Sequence, residues 1–464
     1  MRLSVVFSLA CLACVSWADP PAKISTVPDL GTRKTGVDWP QFLGPTGDSK
    51  SPETGIVTEW PQQGPRIAWF CQLGTGYGMP SISRGRLFQF DRTKDLARLV
   101  CMNSETGKPL WEFTYPTDFS DTYGYSNGPR CCPVIDDDRV YIYGPAGMLH
   151  CLSVIDGKKL WSVDTKARFG VIPNFFGAGS TPVVEKNLLL VQVGGSPPES
   201  QEAGLLDEVT SNGSAVVAFD KHTGNVVYKT GNELASYASP KLATIDGRRW
   251  CFVFARGGLL GFNPQDGKID FHYPWRARKL ESVNASNPVV VDDQVFISET
   301  YGPGSSLLTV RPGGYDVAWQ DDPQKRTKKM QTHWNTPIYI DGYLYGSSGR
   351  HTSNASLRCI DWKTGKVQWN EADLGRCSLL YVDGHFICLS ESGWLRLLRV
   401  DPTGYNVVAE TILKKKDPGQ NRRPLNYPAW AAPILSHGLL YVRGKDRLIC
   451  LDLIPNDSPN PTAD

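Results

Sequence analysis

Much of what would mark a catalytic or membrane protein is missing from this sequence of 464 residues. Its 49 Lys and Arg stand against 47 Asp and Glu, so the net charge is only +2 and the basic excess of a nucleic-acid-binding face is absent. No apolar run reaches the ~20 residues that span a bilayer, which excludes a transmembrane helix. The seven histidines, at 150, 222, 272, 333, 351, 385 and 437, show no metal-ligand spacing. There is no Cys-x-x-Cys-His haem attachment, no Gly-x-Ser-x-Gly nucleophile elbow and no Walker loop. No catalytic residue and no metal ligand is therefore assigned. What the chain does have is 45 Gly, 34 Pro, 14 Trp and 18 Tyr beside 5 Met. Gly and Pro punctuate turns and aromatics favour strands, so many short strands joined by tight turns are expected.

The first residues carry Arg2, an apolar stretch from Leu3 to Val15, and Ser16-Trp17-Ala18 with small residues at the −3 and −1 places. This is the pattern of a secretory signal cut before Asp19, and it predicts export to the periplasm or beyond the cell. Neither Cys11 nor Cys14 has the leucine usual three places before a lipoprotein cysteine. Export leaves ten cysteines where disulfides can persist, yet Cys101, Cys151, Cys359 and Cys450 recur in like contexts, LVCMN, LHCLS, LRCID and LICLD. They read as small hydrophobes filling one apolar slot.

Internal repetition explains that recurrence. Segments 101–111, 151–161, 218–228, 261–271 and 359–369 share a frame of eleven residues: strand, Thr-Gly or Asp-Gly turn, strand, and an aromatic four places after the glycine. Two further copies end at Trp319 after Gly314 and at Ala409 after Gly404. A second element, Pro followed by a hairpin pattern, starts at Pro80, Pro133, Pro182, Pro240, Pro288, Pro337 and Pro433, with Leu379 in the equivalent place. Each of these eight starts supplies two strands, and the frame that follows supplies two more. The eighth unit ends at Leu453 without its last strand, whereas Arg66 to Phe70 has the pattern of that strand and no unit of its own. The prediction is all-β: an eight-bladed propeller of four-stranded antiparallel blades, closed by an N-terminal strand. The division expected is a signal peptide over 1–18, an arm over 19–65, the propeller over 66–453 and a disordered tail over 454–464.

The frame resembles the tryptophan-docking repeat of the pyrroloquinoline-quinone-like (PQQ-like) propellers, a superfamily that includes quinoprotein alcohol dehydrogenases and the propeller lipoprotein of the barrel-assembly machinery. The resemblance runs through Trp69, Trp111, Trp161, Trp319 and Trp369, with Tyr228 and Phe271 as substitutes. It implies that each aromatic lies between blades on the next blade's Gly-containing peptide. The stretch Asp38 to Pro45, DWPQFLGP, is similar to the start of exported PQQ-like proteins of planctomycete-type bacteria.

In a propeller the residues just before each inner strand converge on the axis. Three places before each Pro-equivalent stand Tyr77, Arg130, Gly179, Tyr237, Ala285, Trp334, Arg376 and Trp430. The two arginines and four aromatics suit a planar anion, or else they simply fill a channel mouth. For quinoprotein dehydrogenases the resemblance further implies a vicinal disulfide, calcium held by Glu and Asn, and an Asp base. Cys131 and Cys132 are adjacent beside Arg130, although in the dehydrogenases the Arg follows the pair, and adjacent cysteines also suit two alternating strand residues. Asn284, Asn287 and Asn335 are candidate calcium ligands without an acidic partner in a matching context. His333 neighbours Trp334 at the same face. Three loops break the spacing: acidic Ser196 to Gly213, and basic Asp321 to Met330 and Lys414 to Arg423.

The expected protein is an exported, non-catalytic monomer that binds a small planar anionic ligand or an envelope protein. The alternative is a PQQ- and calcium-dependent alcohol or sugar dehydrogenase. PQQ and calcium are the cofactors the resemblance allows, and none follows from the residues themselves.

Overall fold

The computed structural model describes residues 27–32, 35–203, 206–413 and 425–455. The proposed signal segment, the basic loop from Lys414 and all but the first two residues of the tail lie outside them. Strands between Ile67 and Asp452 form eight separate four-stranded antiparallel sheets, each ordered from inner to outer strand along the chain. The first blade comprises Ser81–Ser83, Arg86–Thr93, Leu96–Asn103 and Pro109–Pro116. The last takes Ile434–Ser436, Leu439–Arg443 and Arg447–Asp452, and its outer strand is Ile67–Gln72 from the other end of the chain. The expected propeller and its closing strand are both present.

Each blade carries the same irregularity, a register shift between its two outer strands at the docking position. A bulge of this kind turns the side chain out of the strand's regular alternation. In most blades the residue paired with the docking aromatic is small: Cys101 opposite Trp111, Cys151 opposite Trp161, Cys359 opposite Trp369, Cys450 opposite Trp69, Ala218 opposite Tyr228; in the fifth blade Leu307 stands opposite Trp319. At Gly261 a Cβ would lie 2.4 Å from the Phe271 ring. The recurring cysteines are thus small because a large ring lies beside them. In the seventh blade the volumes exchange, with Leu397 opposite Ala409.

The rings reach the next blade. Trp111 Nε1 donates to the Val154 carbonyl at 3.1 Å and Trp161 Nε1 to the Lys221 carbonyl at 3.1 Å. Beneath Trp69, Trp111, Trp161 and Tyr228 the glycine leaves no room for a side chain: a Cβ on Gly157 would meet Trp111 at 2.4 Å, and Gly157 also holds φ 71°. Two expected turn glycines behave differently. In the fifth blade the positive φ falls on Gly313, with Gly314 opening the strand, and Gly404 does not adopt positive φ.

The arm crosses the ends of the inner hairpins. Trp39 is fully buried and exchanges both backbone bonds with Ile82 at 2.9 and 2.8 Å. Ile135 N donates to the Pro40 carbonyl, Lys241 Nζ to the Thr46 and Gly47 carbonyls, and Tyr381 N to the Ser49 carbonyl. The Glu53 carboxylate accepts from the His437 and Gly438 amides. Five blades are therefore tied together by one segment that passes over the end of the axis remote from the Pro positions.

Replacing Trp161 by Ala is expected to lower stability by about 3 kcal/mol, the range for a large ring lost from a packed site. The exposed Ile155→Ala change should stay within about 0.5 kcal/mol. Urea unfolding of the two variants checks the contrast.

Candidate ligand-binding cavity

The inner strands place their starting residues around one cavity of about 930 Å³. Tyr77, Arg130, Gly179, Tyr237, Ala285, Trp334, Arg376 and Trp430, the eight positions three before each Pro-equivalent, all line it. So does His333. Its volume lies in the range of small-molecule sites. Phe42, Leu43 and Ser49 of the arm line the same space. Since the arm bonds to the hairpin ends, these residues floor the cavity and leave it open at the Pro side only. Tyr125 and Tyr427 stand in its wall with roughly half their surface exposed, at 52% and 56%.

A chain of hydrogen bonds fixes the inner ring. The residue before each Pro donates its amide to the side-chain oxygen of the equivalent residue one blade on: Cys132 to Thr181, Thr181 to Ser239, Ser239 to Asn287 and Asn287 to Thr336, at 2.8 to 3.1 Å. These buried donors have no other partner in a sheet edge that faces the axis, so each bond avoids the penalty of an unmet buried amide.

Two of the three arginines in the wall, Arg376 and Arg130, are paired from behind. Arg376 grips Glu391 through Nε and Nη2 at 3.1 and 2.6 Å and donates Nη1 to the Arg350 carbonyl at 3.0 Å. Burial pushes the Glu391 carboxyl up, but hydrogen bonds from Arg376 and Trp430 outweigh it and hold the group down at about 2. Arg130 donates to Asp121 at 2.7 Å and to the Phe176 carbonyl at 2.8 Å. The guanidinium of Arg376 lies 4.5 Å from the Trp334 centroid, and that of Arg130 lies 5.1 Å from Phe176. Pairing with buried carboxylates removes most of the positive field that a planar anion would need.

Aromatic rings dominate the wall. Trp430 lies 4.8 Å from Tyr77, 4.9 Å from Trp334 and 5.8 Å from Tyr125, at interplanar angles of 56°, 47° and 63°. Rings so tilted do not cover one another's faces. His333 offers Nε2 to the Tyr301 hydroxyl at 3.2 Å, and its shielded Nδ1 has no partner among the described residues. Burial, with Arg376 and Arg350 nearby, pulls its pKa down to about 3, so the imidazole is neutral.

The residues that would serve PQQ and calcium are otherwise engaged. Asn284 donates to the Ala255 carbonyl and Asn287 accepts from Ser239, both ties between blades, and Asn335 donates to the Ser347 carbonyl within the sixth blade. Cys131 and Cys132 are free thiols just before the strand Val134–Asp136, and their side chains enter different hydrophobic clusters. Cys131 Sγ donates to the Ser180 carbonyl at 3.3 Å. Among the described residues no three His, Cys, Asp or Glu side chains gather as a metal site. The residues present do not fit the group.

Three features escaped the sequence reading: the arm as floor, the counter-charges Asp121 and Glu391, and the anchoring of the acidic insertion. That insertion is held by Asp207, which accepts from Arg256 at 2.9 Å and from Arg276 at 2.5 Å. The small polar residue before successive prolines was a signal for the inner ring; nothing in the sequence singles out Glu391.

Fold and cavity together define a closed propeller with an aromatic, one-ended axial site. The chain belongs to the PQQ-like propeller family: the family model described as outer membrane protein assembly factor BamB matches residues 53–196 and 97–371. No curated protein matches the chain. Among solved structures, BamB from Moraxella catarrhalis is similar over 84% of this chain and 100% of its own, at 12% identity and TM-score 0.54. A quinohemoprotein alcohol dehydrogenase from Comamonas testosteroni is similar over 92% of this chain and 82% of its own, at 12% identity and TM-score 0.47. At such identities the likeness is one of fold. No helix among the described residues is long and apolar enough to cross a membrane.

Beside the cavity, Glu299 is almost wholly buried and accepts from Ser282 Oγ at 3.1 Å and the Gly302 amide at 3.0 Å. Burial outweighs those bonds and raises its pKa from 4.5 to about 7. The folded state therefore holds a proton that the unfolded state has lost between these values, and stability falls as pH rises through that window. Between pH 4.5 and 8 the wild type should lose on the order of 3 kcal/mol more than Glu299→Gln. Urea unfolding at both pH values tests this, and parallel losses would refute it.

Proposed function

We propose that this protein is an exported, non-catalytic member of the PQQ-like propellers that binds a ligand in its axial cavity at the cell envelope. The observation that carries the reading is the cavity itself: floored by the arm, walled by aromatics, and with Arg376 and Arg130 neutralised by Glu391 and Asp121. A binding protein needs only such a shaped and satisfied wall. A dehydrogenase needs a base, a metal and unspent cations for its cofactor, and the candidates for those roles are tied into the scaffold. The name of the matching family, an outer membrane assembly factor, supports an envelope setting and a protein partner at the loops around the mouth. In this reading residues 1–18 direct export, 19–65 form the arm, 66–453 the propeller and 454–464 a disordered tail, and the chain acts as a monomer.

The test is to add PQQ and Ca²⁺ to the mature protein and follow both thermal unfolding and dye-linked oxidation of alcohols and sugars. Neither a shift nor turnover is expected. Turnover above the cofactor-alone rate would overturn the non-catalytic reading.

A further inference from the structure

We propose that the cavity receives an uncharged oligosaccharide chain, a ligand class that rests on the reading of the cavity as a binding site. Charge is the first argument. Arg376 and Arg130 are held by carboxylates at 2.6 and 2.7 Å, while Arg350 and Glu281 face one another at 3.9 Å. Of the four basic side chains in the wall, only the exposed Lys445 has no carboxylate partner among the described residues, which is too little for a polyanion, while a cationic ligand would find each of the three carboxylates already paired. The wall therefore favours a ligand without formal charge.

The ring faces make the second argument. Trp430, Trp334 and Tyr77 meet at tilts of 47° and 56°, so none is stacked face to face on its neighbour. The C–H face of a pyranose is electropositive at its edge atoms and meets the negative face of an aromatic ring, while its hydroxyls point outward to polar groups.

The third argument is extension. Tyr427 and Lys445 line the cavity and also a more open groove of about 770 Å³ between the last blade and the first. The groove's arginines are likewise engaged, Arg92 with the Phe119 carbonyl and Arg98 with Asp91. The two spaces lie side by side at Tyr427 and Lys445, and the exposed Tyr427 ring at their divide suits a chain whose end enters the cavity and whose following units lie in the groove.

Calorimetric titration of the mature protein with cellohexaose, maltohexaose and chitohexaose, beside an oligogalacturonate hexamer and a proline-rich decapeptide, tests the assignment. At least one neutral hexasaccharide should bind, with an affinity that changes less than about twofold between 0.05 and 0.5 M NaCl because no counterions are released. Trp430→Ala should weaken it about tenfold or more. Tyr427→Ala, at an exposed site where folding is not in question, should weaken the hexamer more than the corresponding trisaccharide. The assignment is overturned if no neutral hexasaccharide binds, or if the galacturonate binds with steep salt dependence. Should the peptide alone bind and Trp430→Ala abolish it, the oligosaccharide assignment fails while the binding cavity stands. Turnover with PQQ and Ca²⁺ together with no sugar binding would remove both readings.

Discussion

The docking of one aromatic ring on the glycine turn of the following blade is the contact on which the rest of this structure depends. A single blade cannot bury both of its faces, and only a neighbour at the right rotation covers them. The ring sets that rotation three times over: its indole nitrogen bonds a carbonyl of the next blade, its face fills the space above a glycine, and a bulge in its own strand aims it there. A small residue stands opposite the ring in most blades, and Cys fills that place four times, whereas Leu307 fills it opposite Trp319. Where Ala409 replaces the ring, Leu397 takes up the volume, and the arm adds a bond between Thr411 and the Gln62 carbonyl.

In a ring closed in this way the residues at the axis both tie neighbouring blades together and line the space they enclose. Here they form an aromatic wall whose charges are met internally. The arm converts an open channel into a cavity by threading Trp39 beneath the first blade and presenting Phe42 and Leu43 to the space above. The same economy keeps the inner amides satisfied: each is met by a Thr, Ser or Asn one blade on, and no sheet edge faces the cavity bare along that arc.

Most of the fold was legible because its rules are local. Turn glycine, aromatic and Pro recur at fixed offsets, and the eight positions three before the Pro-equivalents come together because all eight blades obey one register. Charge was less legible. Arg130 and Arg376 read as free cations because Asp121 lies in a loop between blades and Glu391 in a turn of the seventh blade with no repeated counterpart, each brought near by folding. The adjacent cysteines read as a possible pair because sequence shows neighbours, whereas in the fold their side chains enter separate clusters just ahead of the strand. The floor was hidden for a similar reason: the arm's partners are hundreds of residues away, as in the bond between Gly55 and Asp383.

The central claim is that the wall arginines belong to the scaffold and the aromatic faces to the ligand. A crystal structure of the protein grown with its best-binding neutral hexasaccharide tests this most directly. The account predicts sugar density against Trp430, Tyr77 and Tyr427 with the Arg376–Glu391 pair intact. Sugar density outside the cavity, or Arg376 swung away from Glu391 to meet the ligand, would contradict it.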